Sequence, residues 1–243
     1  MNTTSASHAE APAETPAGDA VARKVLVWDA PVRAFHWLMV ISFAGAYLTA
    51  ESERWRLLHV TLGYTMAGLL AFRVVWGLVG TRHARFASFV RGPAAVARYL
   101  RSLASGQPEH HVGHNPAGAL AIVALLGLTG LVTAAGWATY NDLGGEWLEE
   151  LHEGAANVML AVVGVHIAGV LIGSWMHRDN LIGAMFSGRR FGMPQDGVGS
   201  AWRSVAVLML AAVLTFWAWQ WQGAPVPGTA AASSAAHRDR DDD

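Results

Sequence analysis

In the stretch ELHEGAANVMLAVVGVH, residues 150–166, two histidines stand 14 positions apart in a mostly apolar run. The run extends from about Glu149 to Met176, longer than the ~20 residues that a membrane-crossing helix needs. On a helix, 14 residues advance about 21 Å along the axis. At about 100° per residue they return to within about 40° in azimuth. His152 and His166 therefore share one face of one span, at two depths.

Four more spans lie around this one. They cover about Pro31 to Ala50, Trp55 to Val79, Asn115 to Tyr140 and Trp202 to Trp221. Asp29 and Pro31 are a helix-start signature for the first. Pro93 to Leu103 reads as a short amphipathic helix on the membrane surface. Residues 1–24 and 223–243, rich in Ala, Pro, Ser and Thr, read as disordered tails. The first carries no cleavable signal pattern. The expected fold is an all-α membrane protein: a four-helix transmembrane bundle over residues 25–191, then a linker and fifth transmembrane helix over 192–222.

Composition supports this. Hydrophobic residues make up 53% of the 243 and charged residues 14%, with a net charge of −1. Soluble domains carry about 25% charged residues. The near-neutral balance gives nucleic acid nothing to bind. There is no cysteine, which excludes disulfides, iron–sulfur clusters and covalent c-type haem.

Lys and Arg set the orientation. Arg23, Lys24 and Arg33 precede or begin the first span, and Arg-rich segments follow the second and fourth. The loops after the first and third are short and mostly acidic. The N-terminus is expected on the cytoplasmic side and the C-terminus on the other. Trp28, Trp37, Trp55, Trp76, Trp137, Trp147, Trp202 and Trp221 fall near span ends, as an interfacial belt would.

An ionisable side chain inside a membrane is costly and usually functional. His36 lies near the start of the first span and His59 near the start of the second, which runs back. Their depths match those of His166 and His152. The expected pairs are His36 with His166 at the inner level and His59 with His152 at the outer. Zinc would draw four ligands together. Two separated pairs suit haem, which supplies four equatorial nitrogens and takes two axial ligands. Two b-type haems are thus expected, in a bundle core built from facing helices. Gly63, Ala155, Ala156, Gly169 and Gly173 lie near the ligands and would make room. Arg73, 14 residues after His59, and Arg33, one turn before His36, are placed to meet propionates of the inner haem. Arg73 could equally reach the interface by snorkelling. Arg54 and Arg56 are the candidates for the outer haem. His83, His110, His111, His114 and His177 fall in loops or at interfaces and His8 and His237 in tails, where solvation is expected.

The segments VWDAPVRAFHW (27–37), LLHVTLGY (57–64), FRVVWGLVGTRHARFASFVRGP (72–93), GHNPAGAL (113–120) and HRDNLIGAMFSGRR (177–190), with the opening stretch, carry a family likeness. Over about residues 25–191 the chain resembles the bacterial cytochrome b561 family, in the branch that includes the cytochrome b subunits of nickel–iron hydrogenases. The resemblance implies haem ligation by His36, His59, His152 and His166. It also implies electron transfer between a redox partner and the quinone pool in the bacterial cytoplasmic membrane. The partner would be a c-type cytochrome, a dehydrogenase or a hydrogenase, making the chain an electron-transfer protein or an oxidoreductase subunit. The acidic outer residues Glu146, Glu149 and Glu150 would suit a basic partner domain, or simply reflect topology. Two rival readings are a stand-alone oxidoreductase passing electrons from a small donor such as superoxide to quinone, and a non-redox membrane anchor or metal permease.

Overall fold

Asp29 starts the first helix as the sequence suggests, its carboxylate accepting the Val32 N–H at 2.8 Å. In the computed structural model, which describes residues 21–107, 109 and 111–223, this helix (α1) is Ala30–Thr49. A 3-10 turn at Glu53–Trp55 leads into α2, Arg56–Val79. Then come α3 (Phe86–Phe89), α4 (Pro93–Ala104), α5 (Pro116–Tyr140), α6 (Glu146–His177), α7 (Leu181–Ser187) and α8 (Arg203–Gln222). Five of these, α1, α2, α5, α6 and α8, are long and apolar enough to cross a membrane. The fold is a helical membrane bundle with a fifth C-terminal span. The expected tails lie outside the described residues, apart from 21–24 and 223.

The apolar faces dictate the packing. Helix α1 lies against α2, α5 against α6, and α2 joins the two pairs through α5. At the centre, Phe43, Met66, Val132, Ala155 and Met159 form one buried cluster from all four helices. Helix α8 packs along α1 and touches α2, where the Trp217 indole N–H donates to Thr65 Oγ1 at 2.8 Å. Helix α4 rests on α5 and buries Tyr99, while its Arg98 and Arg101 stay exposed, as an amphipathic surface helix requires. Helix α6, with 32 residues, is about 48 Å long. That exceeds the ~30 Å hydrocarbon layer, so its acidic first turns extend past the apolar stretch.

One feature was not legible in the sequence. Arg23–Leu26 (β1) pairs antiparallel with Arg189–Gly192 (β2). The strand takes in Arg23 and Lys24, which the sequence pattern assigns to the tail. The ribbon is tied down by Arg190, whose Nε donates to Asp179 Oδ2 at 2.8 Å and whose Nη2 lies 2.8 Å from the same oxygen in an ion pair. Its Nη1 donates to the carbonyls of His111, Val112 and Gly113. The turn before β2 uses Gly188, at φ +77°, whose carbonyl accepts from Val27 N and Trp28 N. A Cβ at this position would lie 2.6 Å from the Trp28 carbonyl oxygen. Gly188→Ala is therefore expected to destabilise the protein by at least about 1–2 kcal/mol from the backbone alone, read as a lower thermal midpoint in detergent.

The tryptophan belt needs correction. Trp55, Trp137, Trp147, Trp202 and Trp221 are exposed, as a belt requires, but Trp28 and Trp76 are buried. Trp76 donates to Asp29 Oδ2 at 3.0 Å, and Trp28 packs with Val25, Val27 and Ala184. Trp37 is half-buried and stacks on Phe186, with centroids 4.3 Å apart. Proximity to a span end does not distinguish an indole facing lipid from one facing a loop folded over the bundle.

Candidate haem-ligand sites

The rings of His59 on α2 and His152 on α6 face each other, with centroids 6.0 Å apart and planes at 77°. Two imidazole–metal bonds of about 2.0 Å each, plus the two ring radii, span about 6 Å from centroid to centroid. His59 Nδ1 lies 2.9 Å from the Ala46 carbonyl oxygen, and His152 Nδ1 2.9 Å from that of Val132. A carbonyl only accepts, so both Nδ1 atoms carry the proton and both Nε2 atoms keep a free lone pair. That is the tautomer a metal ligand needs. Gly136 makes room for the arrangement: a Cβ there would stand 2.7 Å from His152 Cε1.

His36 on α1 and His166 on α6 lie close enough to interact electrostatically. His36 Nδ1 is buried with no hydrogen-bond partner among the described residues, and its ring meets Trp37 edge-on. A buried polar nitrogen without a partner is an unsatisfied requirement of the polypeptide alone. Neither pair recruits further ligands: among the described residues no three His, Asp or Glu side chains converge on one point.

The central cluster lies between the two pairs. Phe43 is seven residues from His36, Met66 seven from His59, and Met159 seven from both His152 and His166. Seven residues are two turns, about 10 Å. Haem also needs space, and neither α1 nor α2 packs its backbone closely along α6 as α5 does. Gly63, half-buried, borders open space, whereas Gly169 lies on the exposed surface of α6 and a Cβ on Gly173 would touch Leu181. Gly173 thus belongs to helix packing, and so does Ala155, in the central cluster. Two imidazoles from different helices at each level are a donor set that fits a b-type haem.

Arg73 does not snorkel to water. It is 3% exposed, donates through Nη1 to the Ala84 carbonyl at 3.0 Å, and lies over the Phe86 ring. Asp29, its electrostatic neighbour, is 1% exposed and accepts from Val32 N, Trp76 Nε1 and Thr81 Oγ1. Arg33 Nη1 donates to the Phe186 carbonyl, while its Nε is buried without a partner. Arg54 and Arg56 are exposed on the opposite end, Arg56 beside Glu53.

Not all the remaining histidines are solvated. His83 Nε2 donates to the Asp196 carbonyl at 2.7 Å. His114 sits between Trp28 and Phe89, centroids 4.4 and 4.5 Å away, with Nδ1 buried and unpartnered. His111 is partly buried beside Tyr99. His8, His110 and His237 lie outside the described residues. The loop motif GHNP had carried the hint: Asn115 caps α5, which pins His114 to the bundle. Burial, reinforced by Arg73, His83, Arg190 and His166, pushes His114 down to about 3 from the ordinary 6.5. His114 is neutral in the fold, so the unfolded chain binds the extra proton as pH falls below 6.5. Its stabilising contribution is complete above that pH and is lost progressively toward 3. At pH 5 the loss is expected to be about 2 kcal/mol. Thermal midpoints of wild type and His114→Phe, compared from pH 7.5 to 5, should diverge in that sense. Parallel curves would rule it out.

Comparison with known proteins places these features in context. The family model described as prokaryotic cytochrome b561 matches residues 27–188. A probable Ni/Fe-hydrogenase B-type cytochrome subunit of Rhizobium leguminosarum bv. viciae is 27% identical, over 73% of this chain and 95% of that protein. Its counterpart in Rhodobacter capsulatus is 23% identical, over 68% and 81%. That of Azotobacter chroococcum is 30% identical, over 57% and 70%. No solved structure matches the chain.

Proposed function

The chain belongs to the prokaryotic cytochrome b561 family, as a multi-pass membrane b-type cytochrome of electron transfer, and from that footing we propose that it binds two haems and passes electrons to the quinone pool. In this reading one haem would be held by His59 with His152 and the other by His36 with His166. The observation that carries it is the facing pair His59–His152, with both Nδ1 atoms committed to backbone carbonyls. When bound, haem supplies one-electron chemistry at iron. The polypeptide would supply four imidazole nitrogens, with the tautomer fixed by a carbonyl at His59 and His152, and an apolar core that keeps water from the path between sites. Arg73 and Arg33 would be the cations available to propionates at the His36–His166 end.

The electron donor in this reading is a nickel–iron hydrogenase, the complex named for the relatives. The membrane is the bacterial cytoplasmic membrane. The basic end, with β1, β2 and α4, faces the cytoplasm, and the acidic start of α6 faces the opposite side. The test is direct. Purified protein should show a reducible b-type absorption band and two haems per polypeptide. Reconstituted with a hydrogenase, it should reduce a quinone analogue under hydrogen. Reduction by a small donor such as superoxide without a second subunit would favour a stand-alone oxidoreductase. A colourless protein would rule out both.

A further inference from the structure

The two histidine pairs differ in what holds their outward nitrogens. His59 and His152 each donate from Nδ1 to a carbonyl, Ala46 and Val132 respectively, at 2.9 Å. His36 Nδ1, by contrast, is buried without a hydrogen-bond partner among the described residues. A carbonyl that accepts the Nδ1 proton raises the basicity of the opposite nitrogen toward a metal. A stronger axial donor stabilises the oxidised metal and lowers its reduction potential. Second-shell hydrogen bonding is one of the few levers a protein has on haem.

Charge acts in the same direction. Arg73 is buried and lies on α2 14 residues after His59, about 21 Å along the helix, at the end away from the His59–His152 pair. The Asp29 carboxylate beside Arg73 is already engaged by three donors. At the other end, the carboxylates beside His152, Glu149 and Glu153, and the cations before His59, Arg54 and Arg56, are all exposed, where solvent screens them. A nearby cation favours the site that has gained an electron, and a carboxylate disfavours it.

We propose that the Ala46 and Val132 carbonyls hold the His59–His152 site at a lower reduction potential than the His36–His166 site. This rests on the two-site reading above. With haem bound, such a gradient would favour passage of one electron from the first site, which would be oxidised, to the second, which would be reduced, with no bond made or broken. Gly136 is a positioning residue for this tuning. It lies on α5 four residues after Val132, and a Cβ there would stand 2.8 Å from His152 Nδ1. Only a residue without a side chain lets the ring settle against that carbonyl.

The experiment is redox potentiometry of the full-length protein in detergent, followed through the b-type absorption band. Wild type should titrate in two one-electron steps. His36→Ala should abolish the higher step and His59→Ala the lower. Gly136→Ala should move the lower step upward and leave the higher one in place, a selective shift that general loosening of the fold would not produce. The reverse assignment, or two sites of equal midpoint, overturns the proposal. So does an unmoved lower step in a Gly136→Ala protein that keeps both haems. If that variant loses haem, the two histidine variants still decide the order. A wild type with one haem per chain would instead refute the two-site reading itself.

Discussion

His152→Ala should halve the haem content, from two per polypeptide to one, and leave the site at His36 and His166 spectroscopically intact. The reason is the separation of the pairs along α6. His152 and His166 are 14 residues apart, about 21 Å on one helix face. Phe43, Met66, Val132, Ala155 and Met159 fill the interior between them. Removing one ring opens a gap beside Gly136 and Val132, at one end of the bundle. It leaves His36, Trp37 and His166 untouched. His59→Ala should behave in the same way, since His59 and His152 face each other at 6.0 Å. Haem per polypeptide and the reduced-minus-oxidised spectrum measure the outcome. Equal loss at both sites from either variant would sink the pairing.

Arg190→Ala should be the most destabilising substitution outside the bundle core, by about 3–5 kcal/mol, the range for breaking a buried ion pair from one side. Arg190 is 6% exposed and is held to Asp179 Oδ2 by a charge-assisted hydrogen bond from Nε and an ion-pair contact from Nη2. Its Nη1 collects three carbonyls from the loop before α5. Its loss would leave Asp179 partly buried without its counter-charge, and would free β2 and the loop that carries His114. Arg190→Lys should recover little, because one ammonium on a flexible stem cannot reproduce the planar fork. Thermal unfolding in detergent reads the effect. A shift worth less than about 1 kcal/mol would show that the clamp matters little.

Much of this was legible because a bilayer is a simple solvent. It requires runs of about 20 apolar residues with their backbone groups satisfied internally. Five such runs appear in the sequence within a few residues of α1, α2, α5, α6 and α8. The periodicity of a helix then placed His152 and His166 on one face before any packing was known. The start of α1 at Asp29 and of α5 at Asn115 followed from local capping chemistry. Family membership followed from motifs spread over the same segments.

The lid over the basic end could not be read that way. Strands β1 and β2 are four residues each and 163 positions apart, counting from Leu26 to Arg189. Nothing local in RKVL announces its partner. His114 looked like a loop residue because its burial depends on Trp28 and Phe89, brought from two other segments. Trp76 looked interfacial because its partner, Asp29, lies 47 residues away. The same holds at the candidate ligands. Sequence alone determined four histidines, two depths and one shared helix face, because spacing fixes those. Only the tertiary structure decided which Nδ1 atoms find a carbonyl. That depends on how closely α1 and α5 approach the rings of their neighbours, and at Gly136 on the absence of a single carbon atom.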